Sequence, residues 1–103
     1  MDGITIVQGD WSYTNFRLAQ LNKQDLRGVR FLEADLSGAN LQKSDLREAD
    51  LTHAVMAKSK LSGADLRGAI VEGIDFQTID VKGARLDIAQ AIVFARAYGA
   101  KVE

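Results

Sequence analysis

Residues 34–52 read Ala34-Asp35-Leu36-Ser37-Gly38, Ala39-Asn40-Leu41-Gln42-Lys43, Ser44-Asp45-Leu46-Arg47-Glu48, Ala49-Asp50-Leu51-Thr52. A leucine falls at every fifth position, with Asp or Asn before it and Ala or Ser two before it. The register continues outward on both sides. Its large residues are Phe16, Leu21, Leu26, Phe31, Leu36, Leu41, Leu46, Leu51, Met56, Leu61, Leu66, Val71, Phe76, Val81 and Leu86. Within that span the only leucines out of phase are Leu18 and Leu32. A period of five suits neither a helix, at 3.6 residues per turn, nor a strand, whose side chains alternate.

Each unit thus carries one large and one small inward candidate, the small one being Ala19, Ala34, Ala39, Ala49, Ala54, Ala64, Ala69 or Ala84, with Ser44 and Ser59 close in size. The remaining three positions are polar or Gly. A chain that turns a corner every five residues satisfies that pattern. Gly28, Gly38, Gly63, Gly68, Gly73 and Gly83 occupy the last position of their units, where a tight turn favours permissive backbone. Such a chain closes into a solenoid whose stacked coils lie about 4.8 Å apart.

The pairs Asp35-Leu36, Asn40-Leu41, Asp45-Leu46, Asp50-Leu51 and Asp65-Leu66 match the central pair of the pattern A-(D/N)-L-X-X, and the chain resembles the pentapeptide-repeat proteins over roughly residues 14–86. The resemblance implies an all-β solenoid, a right-handed quadrilateral β-helix of about four coils with four units per coil. The expected organisation is a β-helix over residues 1–86, with clear repeats over 14–86, then a helix and short tail over 87–103. With residues twenty apart stacked, the inward columns are Phe16/Leu36/Met56/Phe76, Leu21/Leu41/Leu61/Val81, Leu26/Leu46/Leu66/Leu86 and Trp11/Phe31/Leu51/Val71. Burial contributes roughly 1.5–3 kcal/mol for each Leu or Phe. Gln24 falls at a small inward position and needs a partner if buried. Ile74 and Ile79 stand where Ala is usual, beside the undersized Val71 and Val81.

Outward, Asp25, Asp45 and Asp65 stack beside Arg27, Arg47 and Arg67. This is either a self-compensating solvated face, worth about 0–1 kcal/mol per pair, or a grid that faces a partner. Lys23, Lys43, Lys60 and Lys82, with Asp80, make one face mildly basic; Glu33, Asp50 and Glu72, with Arg30, make another mildly acidic. The candidate partner-facing charges are Asp25, Asp45, Asp65, Glu33, Asp50 and Glu72. Leu18, Leu32, Val55 and Ile70 point outward in this register, and Leu18 and Leu32 form a candidate contact surface.

After Leu86 the period stops. Asp87 to Gly99 reads as a helix, with Asp87 at the N-cap, Gln90 completing a capping box and Gly99 at the end. Ile88, Ala91, Ile92, Ala95 and Tyr98 share one face, expected to close the last coil. Ala89, Val93, Phe94 and Ala97 form a second apolar stripe, either a dimer interface or a seat for the tail Ala100-Lys101-Val102. Leu86-Asp87-Ile88-Ala89-Gln90-Ala91-Ile92, with Ala95, Gly99 and Val102, resembles the C-terminal segment of the Qnr-like branch, especially its members from Gram-positive bacteria. That resemblance implies a homodimer through the helix and a rod that acts as a DNA mimic. It also implies binding to DNA gyrase or topoisomerase IV, with protection from quinolones. At the other end Ile6 and Trp11 keep the phase, while Met1–Asp10 shows no capping helix. The chain is short for that branch, as expected of a shortened or engineered form.

Composition bounds the rest. Thirteen basic and 14 acidic residues leave a net charge of −1, which argues against direct nucleic-acid binding and against a uniformly acidic shell. The absence of Cys fits a reducing, cytoplasmic setting, and no segment has the length of a membrane span. His53, the single His, falls at an outward position, and no nucleophile–base or G-x-G-x-x-G pattern is readable. The Arg column beside the Asp column competes for the carboxylates a metal would need. A protein without catalytic residues, metal or cofactor is expected. The alternative to gyrase binding is an interaction scaffold of another kind, a truncated or designed repeat protein included.

Overall fold

The computed structural model describes residues 9–102. Ile6 and the other residues before Gly9 lie outside that range. The chain winds into a solenoid in which residues twenty apart pair in parallel, from Asp10 with Arg30 to Asp65 with Arg85. Two rows of amides tie each coil to its neighbours: Leu41 N donates to Lys60 O at 2.8 Å, and Asn40 N to Ala19 O at 2.9 Å. Overall the molecule measures 42 × 24 × 22 Å.

The corner is the same in nearly every unit. In Leu36-Ser37-Gly38-Ala39, Ala39 N donates to Leu36 O at 3.0 Å and Gly38 has φ +64°. One left-handed residue at the third position is the type II arrangement. Where Gly is lacking, Tyr13, Leu18, Lys23, Glu33, Lys43, Glu48, His53 and Lys58 adopt φ between 51° and 62°. Thr78 is not among the left-handed residues, consistent with the cost of positive φ for a β-branched side chain. Around it the ladder changes: Lys58 N donates to Thr78 Oγ1 at 3.1 Å, and Val55 and Asp75 do not pair although their neighbours in the column do.

The core forms the expected columns. Phe31, Leu21, Leu26, Leu36, Leu41, Leu46, Leu51, Leu61, Leu66 and Phe76 are fully buried, and the alanines and Ser44 and Ser59 fill the small positions. Val29 joins them at a small position. Ile74 and Ile79 are buried beside Val71, so volume is redistributed within the last coil. Two columns end differently from expectation. Trp11 heads its column 36% exposed, its ring edge-on to Phe16 at 6.1 Å; no described coil covers its outer side. Val81 and Leu86, at the far ends, are only half-buried. Gln24 is half-buried, and Leu32 likewise.

The helix, α1, spans Ile88–Ala97 with both bonds of the capping box formed between Asp87 and Gln90. Gly99, at φ +85°, and the bond from Ala100 N to Ala95 O close it in a Schellman arrangement.

The helix is turned from the orientation its apolar wheel suggests: of the expected face only Ile92 and Ala95 are half-buried. Gln90 is buried and Phe94 packs on the core, its ring 5.1 Å from Phe76. Ile88 is 82% exposed and Ala91 is exposed. Tyr98 is more than half exposed, although its hydroxyl donates to Phe76 O at 3.2 Å. The cause is polar. The last coil presents backbone carbonyls that no further coil satisfies, and Gln90 Nε2 donates to those of Leu66 and, at 2.8 Å, Ala69. An isoleucine there would bury a carbonyl unpaired. Phe94 is therefore part of the core cap, not of an outward stripe with Ala89, Val93 and Ala97.

Candidate functional site

What the molecule offers a partner is its outer surface. Where an Asp or Asn precedes the core residue, it first serves its own turn, its Oδ1 accepting the backbone amide two residues on. Asp35 takes Ser37 N at 3.0 Å and Asn40 takes Gln42 N at 3.1 Å. Asp25, Asp45, Asp50 and Asp65 do the same for Arg27, Arg47, Thr52 and Arg67. This is an Asx turn, and it explains the Asp/Asn preference.

Three of those carboxylates do more. Oδ2 of Asp25, Asp45 and Asp65 meets Nη2 of Arg27, Arg47 and Arg67 at 2.8, 2.6 and 2.7 Å. Each bridge is two-pronged, because Nε donates to Oδ1 as well. Longer contacts of 3.8 Å link successive coils, Arg27 to Asp45 and Arg47 to Asp65. The arginine hydrogen bonds hold the Asp25 and Asp65 carboxyls down at about 2, and Asp45 is lowered by the same cause. The Arg47 guanidinium is shifted up in return. Of the candidate partner-facing charges, then, Asp25, Asp45 and Asp65 are spent on the molecule itself. Asp50 also bonds inward, accepting from Thr52 Oγ1 at 2.5 Å. Glu33 and Glu72 are exposed and form no ion pair among the described residues.

His53 lies in the left-handed corner position, its ring over Gly73: a Cβ there would come within 2.2 Å of His53 Nδ1. The described residues contain no cluster of three or more potential metal ligands. No helix is long and apolar enough to cross a membrane. Beside α1 runs an open groove of roughly 400 Å³, lined by Val71, Gly73, Ala89 and Val93 with Glu72 at its rim. Of the expected interface set, Ala89 and Val93 are exposed along this groove and Ala97 is half-buried.

The repeat, its twenty-residue coil and its Asx-turn corners agree with a family model. "Pentapeptide repeats (8 copies)" matches residues 14–52, 34–73 and 44–83. The chain belongs to the pentapeptide-repeat family. Among solved pentapeptide-repeat structures, a trypsin-treated variant of QnrB1, a plasmid-mediated fluoroquinolone resistance protein, is similar with a TM-score of 0.78 and 26% identity. The likeness covers 91% of this chain and 45% of QnrB1, so the chain spans less than half of that relative. HetL, involved in heterocyst differentiation regulation in Nostoc sp. strain PCC 7120, matches with a TM-score of 0.72 and 31% identity over 74% of this chain and 35% of its own. A pentapeptide-repeat protein of the Arabidopsis thaliana thylakoid lumen matches with 0.64 and 29% over 90% and 68%. None of the curated proteins matches the chain.

Proposed function

We propose that the protein is a non-catalytic, cytoplasmic binding rod whose partner is DNA gyrase or topoisomerase IV, which it shields from quinolones. The observation that carries this reading is the likeness to QnrB1 over 91% of the chain, a span longer than the coils alone, so that it reaches into the helix. The right-handed sense of the quadrilateral coil belongs to the same reading and agrees with the preference of parallel crossovers. So does pairing of two copies through α1, for which the exposed Ile88 and Ala91, with the half-buried Ile92 and Ala95 beside them, supply the apolar face. The rod works by shape more than by charge. Duplex DNA carries about one charge per 1.7 Å, whereas this chain has a net charge of −1. The test is a gyrase supercoiling assay with and without a quinolone. The expected result is inhibition by the protein alone or restored supercoiling under drug; neither effect at micromolar protein overturns the proposal.

A second reading has its own observation. HetL is more similar in sequence, at 31%, and the compensated Asp–Arg face suits a scaffold for some other partner. Retention of a different partner on immobilised protein, with no gyrase subunit retained, selects it.

A further inference from the structure

Near-neutrality conceals a separation of charge across the rod. The twenty-residue coil has four sides, and the side of Leu21/Leu41/Leu61 lies opposite that of Phe31/Leu51/Val71. Along the first side and its two corners stand Lys23, Lys43, Lys58, Lys60 and Lys82, opposed by Asp80 alone. They are all the lysines of the coils. Along the opposite side and its corners stand Glu33, Glu48, Asp50 and Glu72; of the arginines there, Arg30 is 3.7 Å from Asp10, and Arg27, Arg47 and Arg67, in the corner column that Glu48 shares, are paired with Asp25, Asp45 and Asp65. Glu33, Glu48 and Glu72 are all the glutamates of the coils. All five lysines and all three glutamates are exposed. None forms an ion pair among the described residues, whose bridges all join Arg to Asp. Arg27, Arg30, Arg47 and Arg67 are thus compensated by aspartates within the molecule, while lysine and glutamate are sorted to opposite faces and left to solvent.

We propose that this protein associates side by side with further copies of itself, the lysine face of one copy against the glutamate face of the next. Three features select a second copy as the occupant. The faces are opposite in sign and similar in number of charges. They share one pitch, because both are built on coils about 4.8 Å apart, so that charges on neighbouring rods fall into step. And the net charge of −1 leaves no overall repulsion to oppose approach. Because the two surfaces differ, the contact is heterologous and does not close, so rows form and not pairs alone. Four coils at that spacing give a face about 19 Å tall. Across a rod 24 Å wide that is a face of roughly 450 Å², smaller than the standard interface of roughly 800 Å² per partner. The association is therefore weak, driven by charge and screened by salt.

Sedimentation velocity over a range of protein concentrations tests it, comparing about 0.01 M with about 0.15 M salt, between which the Debye length falls from ~30 to ~8 Å. The weight-average mass of the wild type is expected to rise with concentration at the lower salt, by about twofold or more, and to fall back at the higher salt. A Lys43→Glu/Lys60→Glu variant leaves Lys23, Lys58 and Lys82 against two introduced acids and Asp80, which neutralises the lysine face; a Glu33→Lys/Glu72→Lys variant leaves Glu48 and Asp50 against two introduced lysines, which neutralises the glutamate face. Each alone is expected to lose the salt-sensitive species, and an equimolar mixture to regain it. Circular dichroism confirms that both remain folded, and any dimer through α1 persists at both salts as a constant background. A wild-type mass that does not respond to salt overturns the proposal. So does a Lys43→Glu/Lys60→Glu variant that associates as well as the wild type, or a mixture that fails to recover association.

Discussion

An aspartate before a core leucine serves its own turn and, in three coils, its own arginine. That double use makes the carboxylates sensitive to acid in a definite direction. Asp25 and Asp65 titrate near 2 in the folded chain, below the ordinary value of 3.8, and Asp10, Asp35, Asp45 and Asp87 are lowered too. A depressed folded pKa gives stability that is complete above the unfolded value and lost as pH falls through the folded one. The melting temperature is therefore expected to be flat from neutrality to about pH 5, then to drop between about pH 4 and 2. Asp65→Asn retains an acceptor for the Arg67 amide but not the charge, and should flatten part of that drop in pH-dependent thermal melts. Two buried serines give a sharper contrast. Ser44 Oγ donates to Leu21 O at 2.5 Å, whereas Ser59 Oγ is buried with no partner among the described residues. Ser59→Ala is expected to leave stability unchanged or raise it by about 1 kcal/mol, and Ser44→Ala to lower it by about 1 kcal/mol, read from denaturant midpoints. That Asp and Arg compensate each other was legible in the repeat; the serine partners and the turn amides were not. Spacing showed Asp stacked beside Arg, but which atoms a carboxylate holds depends on the turn that places it.

At the scale of elements the period of five was fully legible, because one inward and one small residue per unit leave little choice of backbone. The limits of α1 were legible too: Asp87, Gln90 and Gly99 are local signals, and local bonds satisfy them. Its orientation was not. A helical wheel weighs apolar area, while the end of a solenoid offers open carbonyls as well as side chains, and Gln90 answers both Leu66 and Ala69. Phe94→Asp, which the wheel reads as a clean break of a dimer, is instead expected to place a charge against Phe76 and destabilise the last coil by several kcal/mol, about 3. Ile88→Asp is the variant that leaves the fold intact, since Ile88 is 82% exposed; its melting temperature should stay within about 2 °C of the wild type. If two copies join through α1, sedimentation of Ile88→Asp shows the monomer. A melt of Phe94→Asp indistinguishable from the wild type would put that ring outside the core.

For the whole molecule, stability is a sum along one axis, since each coil touches only its neighbours. The two ends of that sum are unequal. At the C-terminal end Gln90 and Phe94 cap the columns, and Gly68 N donates to Asp87 Oδ2 at 2.9 Å. At the other, Trp11 is 36% exposed, while Phe16 beneath it is buried. Opening by fraying should therefore begin at the Trp11 coil and proceed inward. Amide exchange can follow it, because equivalent amides recur in each coil: Phe16 N donates to Asp35 O at 2.7 Å, Leu26 N to Asp45 O at 2.8 Å, Leu46 N to Asp65 O at 2.8 Å and Leu66 N to Arg85 O at 2.9 Å. Protection is expected to be greatest at Leu46 and to fall at Leu26 and further at Phe16, by about tenfold or more between the extremes. Leu66, close to the cap, should stay nearer to Leu46 than Phe16 does. Gln90→Leu supplies the control. It orphans the Ala69 carbonyl, a loss of about 1–3 kcal/mol, and should accelerate exchange at Leu66 while leaving Phe16 unchanged. Equal protection at Phe16 and Leu46 would mean that the rod opens in one step, and the coils would then be bound more tightly to one another than nearest-neighbour stacking allows.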